Sequence, residues 1–226
     1  MPRGRRVATI QDHPAVSPSQ QAVAAEPKAK GNVRGRRTRE RILREAARLF
    51  RQRGFHGVGI EDIGLTVGMS STALYRHFRS KLDLYVALLE TLVGFSEQLL
   101  RDVHAADGTP QEALQQWTTG LVDRHLDHGD LTALAHLERV SLPEDVRRAL
   151  DRRWRVIYAE NVTIICHARP DLDEQEAQVI SHAVSGMLNS VVWYKTTLDR
   201  EALRAMLLNA ALRLVFDAEP APKPAS

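Results

Sequence analysis

The sequence predicts an all-α protein, with a small three-helix domain of helix-turn-helix layout over residues 34–80 and a larger helical domain over residues 81–217. Three observations lead there. Long apolar segments recur with period 3.6, no run of Val, Ile and Thr alternates at period 2, and Gly and Pro fall at a few breaks between the segments. With 43% hydrophobic residues among 226, the chain can bury a sizeable core.

Residues 1–33, rich in Pro, Ala, Gln and Ser without apolar periodicity, read as a disordered basic arm, and residues 218–226 as a disordered tail. From Thr38, a candidate N-cap, Ile42, Ala46, Leu49 and Phe50 line one side of a first helix, which Gly54 ends. Ile60, Ile63 and Val67 mark a short second helix with Glu61 and Asp62 in its first turn, where the helix dipole favours negative charge. Gly64 inside it is expected to cost about 1 kcal/mol relative to Ala. Gly68 breaks the chain, Met69 fills the turn, and Ser70 caps a third helix running to about Phe78. Ser80 caps a fourth, with Asp83 three residues on and Leu84, Leu88, Leu92, Phe95 and Leu99 along one stripe.

Charge is distributed unevenly. Residues 1–81 hold 17 Lys and Arg against 6 Asp and Glu, whereas residues 82–226 hold 14 against 22. A basic end joined to an acidic body points to a polyanion-binding module carried by something that does not bind polyanions. Between Arg34 and Lys81 the excess persists, 12 basic to 4 acidic, so a charged tail does not account for it. One cysteine, Cys166, excludes an internal disulfide and fits a reducing cytoplasm. The N-terminus lacks the apolar core of a secretory signal, though its Arg-rich composition leaves an organelle transit peptide open. No uncharged stretch reaches membrane-spanning length, so no membrane is expected as a partner.

The tight spacing of helices two and three is that of a helix-turn-helix, in which Leu74 and Phe78 seat the third helix on the core and its other face is left for the major groove of double-stranded DNA. Residues 36–90, and above all "ILREAARLFRQRGFHGVGIEDIGLTVGMSSTALYRHFRSKLDLYVALLE", resemble the TetR family of bacterial transcriptional regulators. The resemblance implies a homodimer, a C-terminal domain that binds a small molecule, and phosphate contacts at Tyr75, His77 and Lys81. Departures from the family pattern, Ser71 and Thr72 where Lys and Gly are common and Gly64 in place of Ala, keep the DNA sequence from being copied from a relative.

Within the opening of that helix Ser70, Ser71 and Thr72 are candidate DNA contacts, the last two toward bases or a thymine methyl, and Arg76 has the fork to span the O6 and N7 of guanine. For Tyr75 the competing reading is an aromatic that closes the small core. Arg34, Arg36 and Arg37 form an arm that enters the adjacent minor groove or supplies only salt-dependent attraction; for Arg3, Arg5 and Arg6 the latter is expected.

In the larger domain, Thr109, Pro110 and Glu112 make a cap, first position and capping-box acid for a fifth helix, and further helices are expected over residues 129–140 and 143–168. Two late helices open at Asp173 and Asp199. By the resemblance they pair with those of a second subunit, with Ala183 and Gly186 allowing close approach; the alternative is packing within one subunit. The resemblance also implies an effector pocket, for which Trp117, Leu121, His125, His136, Trp154, Tyr158, Met187 and Trp193 are candidate walls and Glu138 and Asn189 polar anchors. Each aromatic there is equally a core residue. The segment "LTALAHLERVSLPEDVRRAL" is similar to actinobacterial regulators that sense acyl-CoA or lipid-like effectors. His125 and His128 have metal-ligand spacing, but without further ligands a solvated or helix-end pair is the expected reading, and no metal or cofactor is expected.

These features favour a homodimeric, effector-responsive DNA-binding repressor that is not an enzyme. The alternatives are a helical ligand carrier or enzyme whose basic N-terminus binds polyanions loosely, and a nucleoid-coating protein. No nucleophile motif or phosphate loop supports catalysis.

Overall fold

The computed structural model describes residues 28–137, 142–193 and 196–221, and among these every regular element is helical. The helices are α1 (Lys28–Arg53), α2 (Ile60–Thr66), α3 (Ser71–Tyr75), α4 (Lys81–Ala105), α5 (Pro110–Asp127), α6 (Gly129–Leu137), α7 (Glu144–Ala168), α8 (Glu174–Val191) and α9 (Arg200–Phe216). Local signals fixed most starts. Thr109 and Glu112 exchange hydrogen bonds as a capping box at α5, Asp173 and Glu176 do so at α8, and Ser80 and Asp199 accept from the third amides of α4 and α9.

Two apolar cores form. The first gathers Ile42, Phe50, Ile63, Leu74 and Phe78 of the helix-turn-helix region. It is completed from outside by Leu84, Tyr85, Leu88 and Leu92 of α4 and by Leu131 and Leu134 of α6. The second is built on α5 and α7 to α9 around Trp117, whose indole Nε1 donates to Asn161 Oδ1 at 2.9 Å within the core. Because α4 supplies both, residues 80 and 81 do not separate two bodies. The division into compact units falls instead between Arg36 and Arg37, inside α1.

Four expectations change. Helix α1 begins at Lys28, so Thr38 lies within it and is not its cap, and Arg34, Arg36 and Arg37 are helical, not an extended arm. The first 27 residues lie outside the described set. Helix α3 ends at Tyr75, although the amides of His77 and Phe78 still reach the carbonyl of Leu74 at 2.9 and 3.1 Å. The tail expected from residue 218 is held at its root: Arg169 Nη2 donates to the carbonyl of Ala218 at 2.7 Å, and the Ala221 amide to Glu176 Oε1 at 2.6 Å. Finally, Gly64 is more than a weak helix residue. A Cβ there would stand 2.7 Å from the carbonyl oxygen of Met69, whose amide donates to the carbonyl of Gly64 at 2.8 Å, so the glycine lets the turn close on α2. Gly68 follows with φ of 65°, a conformation that a side chain disfavours.

Candidate nucleic-acid interface and interior cavity

Helix α3 is too short to stand by its own hydrogen bonds, so burial must hold it. Leu74 and Phe78 are almost wholly buried, each contributing about 2 kcal/mol by removal from water. Ser70 Oγ accepts from the Ala73 amide at 3.2 Å. At about 100° per residue, the seam through Leu74 and Phe78 turns Thr72 and Arg76 to the opposite side and Tyr75 to a flank, and these three are exposed, as is Arg79 beyond them. Tyr75 retains 49% of its surface, which removes it as the stopper of the small core. Ser71 and His77 sit half-buried at the flanks of the seam. Ser70 is exposed, with its hydroxyl committed to the cap; Arg36 and Arg37 are exposed on α1.

Some basic residues serve the framework. The Lys81 ammonium donates to the carbonyls of Phe55 and Val58 at 2.9 and 3.0 Å and stands 4.4 Å from the Phe55 ring centroid. Two of its three protons are thereby used inside the protein to brace the loop between α1 and α2, which leaves one for the phosphate contact expected of it. Arg41 Nη2 likewise donates to the Val67 carbonyl at 2.8 Å, and the Arg39 guanidinium covers the Phe78 ring at 4.3 Å. The raw charge count therefore overstates the free cations on this face.

The larger domain holds a cavity of about 330 Å³. It brings together Trp117, Leu121, His125, Trp154, Tyr158 and Asn189 from the expected set. Met187 packs against the core instead, because it lies two residues, roughly half a turn, from both Ser185 and Asn189 on α8. Trp193 lies past the end of α8, 48% exposed and 5.8 Å from the Arg51 guanidinium, so it is no cavity wall. His136 belongs to α6, its side chain outside the described set, and Glu138 lies outside the described residues. His125 and His128 do not form a solvated pair: His125 is buried, with Nδ1 2.7 Å from the Leu121 carbonyl and Nε2 3.0 Å from Asn189 Oδ1. His128 stacks on Phe95 with centroids 4.3 Å apart.

The sequence reading missed Arg124. It lines this cavity, donates Nη1 to Ser96 Oγ at 2.6 Å, and has a buried Nε without a hydrogen-bond partner. Burial lowers its pKa to about 10. The spacing Trp117, Leu121, Arg124 was the available signal, since positions i, i+4 and i+7 share a helix face.

Arg51 also emerged only in three dimensions. Its Nη1 donates to Asp130 Oδ1 of α6 at 2.5 Å and its Nη2 to the Val192 carbonyl after α8 at 2.6 Å. The end of α1 is thus tied to two elements of the larger domain.

A short exposed helix braced on a helical core, joined through α4 to a helical body with a cavity, is the layout of helix-turn-helix regulators. Residues 42–88 match the family model for bacterial regulatory proteins of the tetR family. The repressor NemR of Escherichia coli K12 is 28% identical over 127 residues, 54% of this chain and 64% of that protein. The first curated relatives are spanned over only 37% to 64% of their own lengths. Among solved structures, a TetR-family regulator from Bordetella parapertussis 12822 superposes with a TM-score of 0.68 at 24% identity, over 79% of this chain and 94% of that one. AibR, crystallised with isovaleryl coenzyme A and operator DNA, gives 0.64 at 20% identity, over 79% and 98%. These structures share the fold.

Proposed function

We propose that this chain is a homodimeric, effector-responsive transcription regulator that represses by holding double-stranded operator DNA in the cytoplasm and lets go when a small molecule fills the cavity. One observation carries the reading: α3 is fixed through Leu74 and Phe78 and turns Thr72, Tyr75 and Arg76 outward as a set. Tyr75 and His77 meet phosphates and set register, Arg76 with Ser71 and Thr72 reads base edges, and Arg36 and Arg37 add attraction along the backbone. A helix this short reads too few bases alone, so a second copy has to occupy the next half-site about one turn away.

The pairing surface is α8 with α9. Val179 and Met206 are 68% and 61% exposed, and Gly186 has no atom within 4 Å of where a Cβ would be, so a partner helix can come close there. Effector binding reaches the DNA through α6, where Thr132 lines the cavity while Leu131 and Leu134 pack into the core under α3. For the effector, Leu92, Leu99, Leu121 and Ile157 make an apolar sleeve suited to an acyl chain, either lipid-like or as the acyl group of a CoA thioester such as AibR binds. Nothing in this arrangement requires catalysis.

Selection of binding sites from random duplex DNA tests the reading. A palindromic site recovered by the wild type and lost with Tyr75→Phe and Arg76→Ala together supports it. Ligand binding without any preferred site makes the chain a carrier instead, and uniform coating of DNA makes it a nucleoid protein.

A further inference from the structure

The proposal that follows rests on the cavity being the effector site and names the chemistry of its occupant. Arginines are seldom enclosed without an acidic partner, because removing a guanidinium from water is costly unless a counter-charge or a full set of acceptors replaces it. Arg124 has neither. Among the described residues no carboxylate lies within ion-pair distance of it, its single protein acceptor is Ser96 Oγ, and its Nε is buried and unpartnered. The Ser96 hydroxyl in turn donates to the Leu92 carbonyl at 3.1 Å, so Ser96 positions the guanidinium and cannot neutralise it. Asp151, the one carboxylate among the described residues of the cavity wall, is engaged by Arg147 Nη1 at 2.9 Å.

The approach is cationic as well. An open depression of about 600 Å³ shares Asp151, Trp154 and Tyr158 with the cavity and carries Arg147, Arg148, Arg152 and Arg155. Arg147 and Arg148 are paired with Glu144, whereas Arg152 and Arg155 have no carboxylate partner among the described residues. A mouth of this sign concentrates anions at the entrance. The cavity itself, at about 330 Å³, lies at the small end of ligand sites.

We propose that the effector is a free carboxylic acid with a compact apolar body, its carboxylate bound by Arg124 and its hydrocarbon part held among Leu92, Leu99, Leu121, Ile157 and Trp117, and not the CoA thioester of such an acid. The guanidinium presents Nε and a terminal nitrogen as a fork that matches two carboxylate oxygens. The charge that costs folding free energy in the empty protein is then matched when the acid arrives, and a neutral analogue cannot supply that match.

The test is calorimetric titration of the full-length protein with octanoate, 4-phenylbutyrate, their primary amides and octanoyl-CoA, at a pH near 7.5. The expected result is binding of at least one acid, with its amide weaker by about tenfold or more. Arg124→Gln should bring acid and amide to the same weak affinity, while Arg152→Gln slows association. Equal binding of acid and amide by the wild type, no binding of either acid, or tight binding of octanoyl-CoA that Arg124→Gln leaves unchanged would each overturn the proposal. The acid and amide comparison needs no variant, so a poorly folding Arg124→Gln does not blunt it. Site selection on DNA is measured separately: acid binding without a preferred DNA site faults the regulator reading alone, and a preferred site with equal acid and amide affinity faults this proposal alone.

Discussion

The ammonium of Lys81 stands over the Phe55 ring and donates to that residue's own carbonyl at 2.9 Å, so a lysine at the start of α4 closes the loop that follows α1. Replacing it by Ala strands two carbonyls and removes a cation–π contact. We expect Lys81→Ala to lower stability by about 1–2 kcal/mol. Tyr75→Phe should leave the melting temperature unchanged while weakening DNA binding. Paired thermal melts and DNA titrations distinguish the two; equal melts for both variants would return Lys81 to a purely DNA-facing role.

Gly68 holds φ at 65° with nothing within 4 Å of a Cβ position. Gly68→Ala therefore costs backbone strain without a clash, about 1 kcal/mol, and chemical denaturation should show it as a lower midpoint with an unchanged slope.

Arg124 predicts an inverse result. A cation enclosed without a counter-charge lowers stability wherever it is ionised, here at every pH below about 10. Arg124→Met should thus raise the stability of the ligand-free protein by about 1–3 kcal/mol while abolishing its response to effector. A large loss of stability on that substitution would mark the arginine as structural.

His128 gives a pH signature. Burial chiefly lowers its pKa from 6.5, against the opposing pull of Asp127. The unfolded chain then takes up the proton more readily than the folded one, so stability is complete above about pH 6.5 and falls as pH drops from there toward the lower folded value. His128→Gln should shrink the difference in melting temperature between pH values of about 7.5 and 5.5; an unchanged difference would assign the acid sensitivity elsewhere.

Arg51 links α1 to Asp130 and to Val192. Arg51→Ala should preserve DNA affinity to within about threefold yet reduce the effector's ability to release DNA by about 1 kcal/mol of coupling. DNA titrations with and without saturating octanoate measure it. Unaltered coupling would exclude this contact from the path.

How much of this could be read beforehand depends on the range of each interaction. The capping boxes at Thr109 and Asp173 and the seam of Leu74 and Phe78 act within one or two turns, and the sequence shows them directly. Gly64 looked like a local weakness because its use depends on the carbonyl of Met69 coming back over α2. Likewise Trp193 and Met187 qualified as cavity walls by type alone, and only the course of the chain past α8 sets the first against Arg51. Arg124 was passed over beside His125 because charged residues are ordinarily on the outside; its burial is a property of three packed helices, not of its neighbours in the chain.

Helix α4 and the two leucines of α6 fill the hollow beneath the DNA-facing helices. Severed after Ser80, the N-terminal segment would lose more than a third of the buried residues of its core, those of α4 and α6. Chimeras that trade recognition specificity between regulators of this kind should therefore transplant the outward side chains of α3 onto the intact host, since any cut at the apparent seam divides a single load-carrying joint.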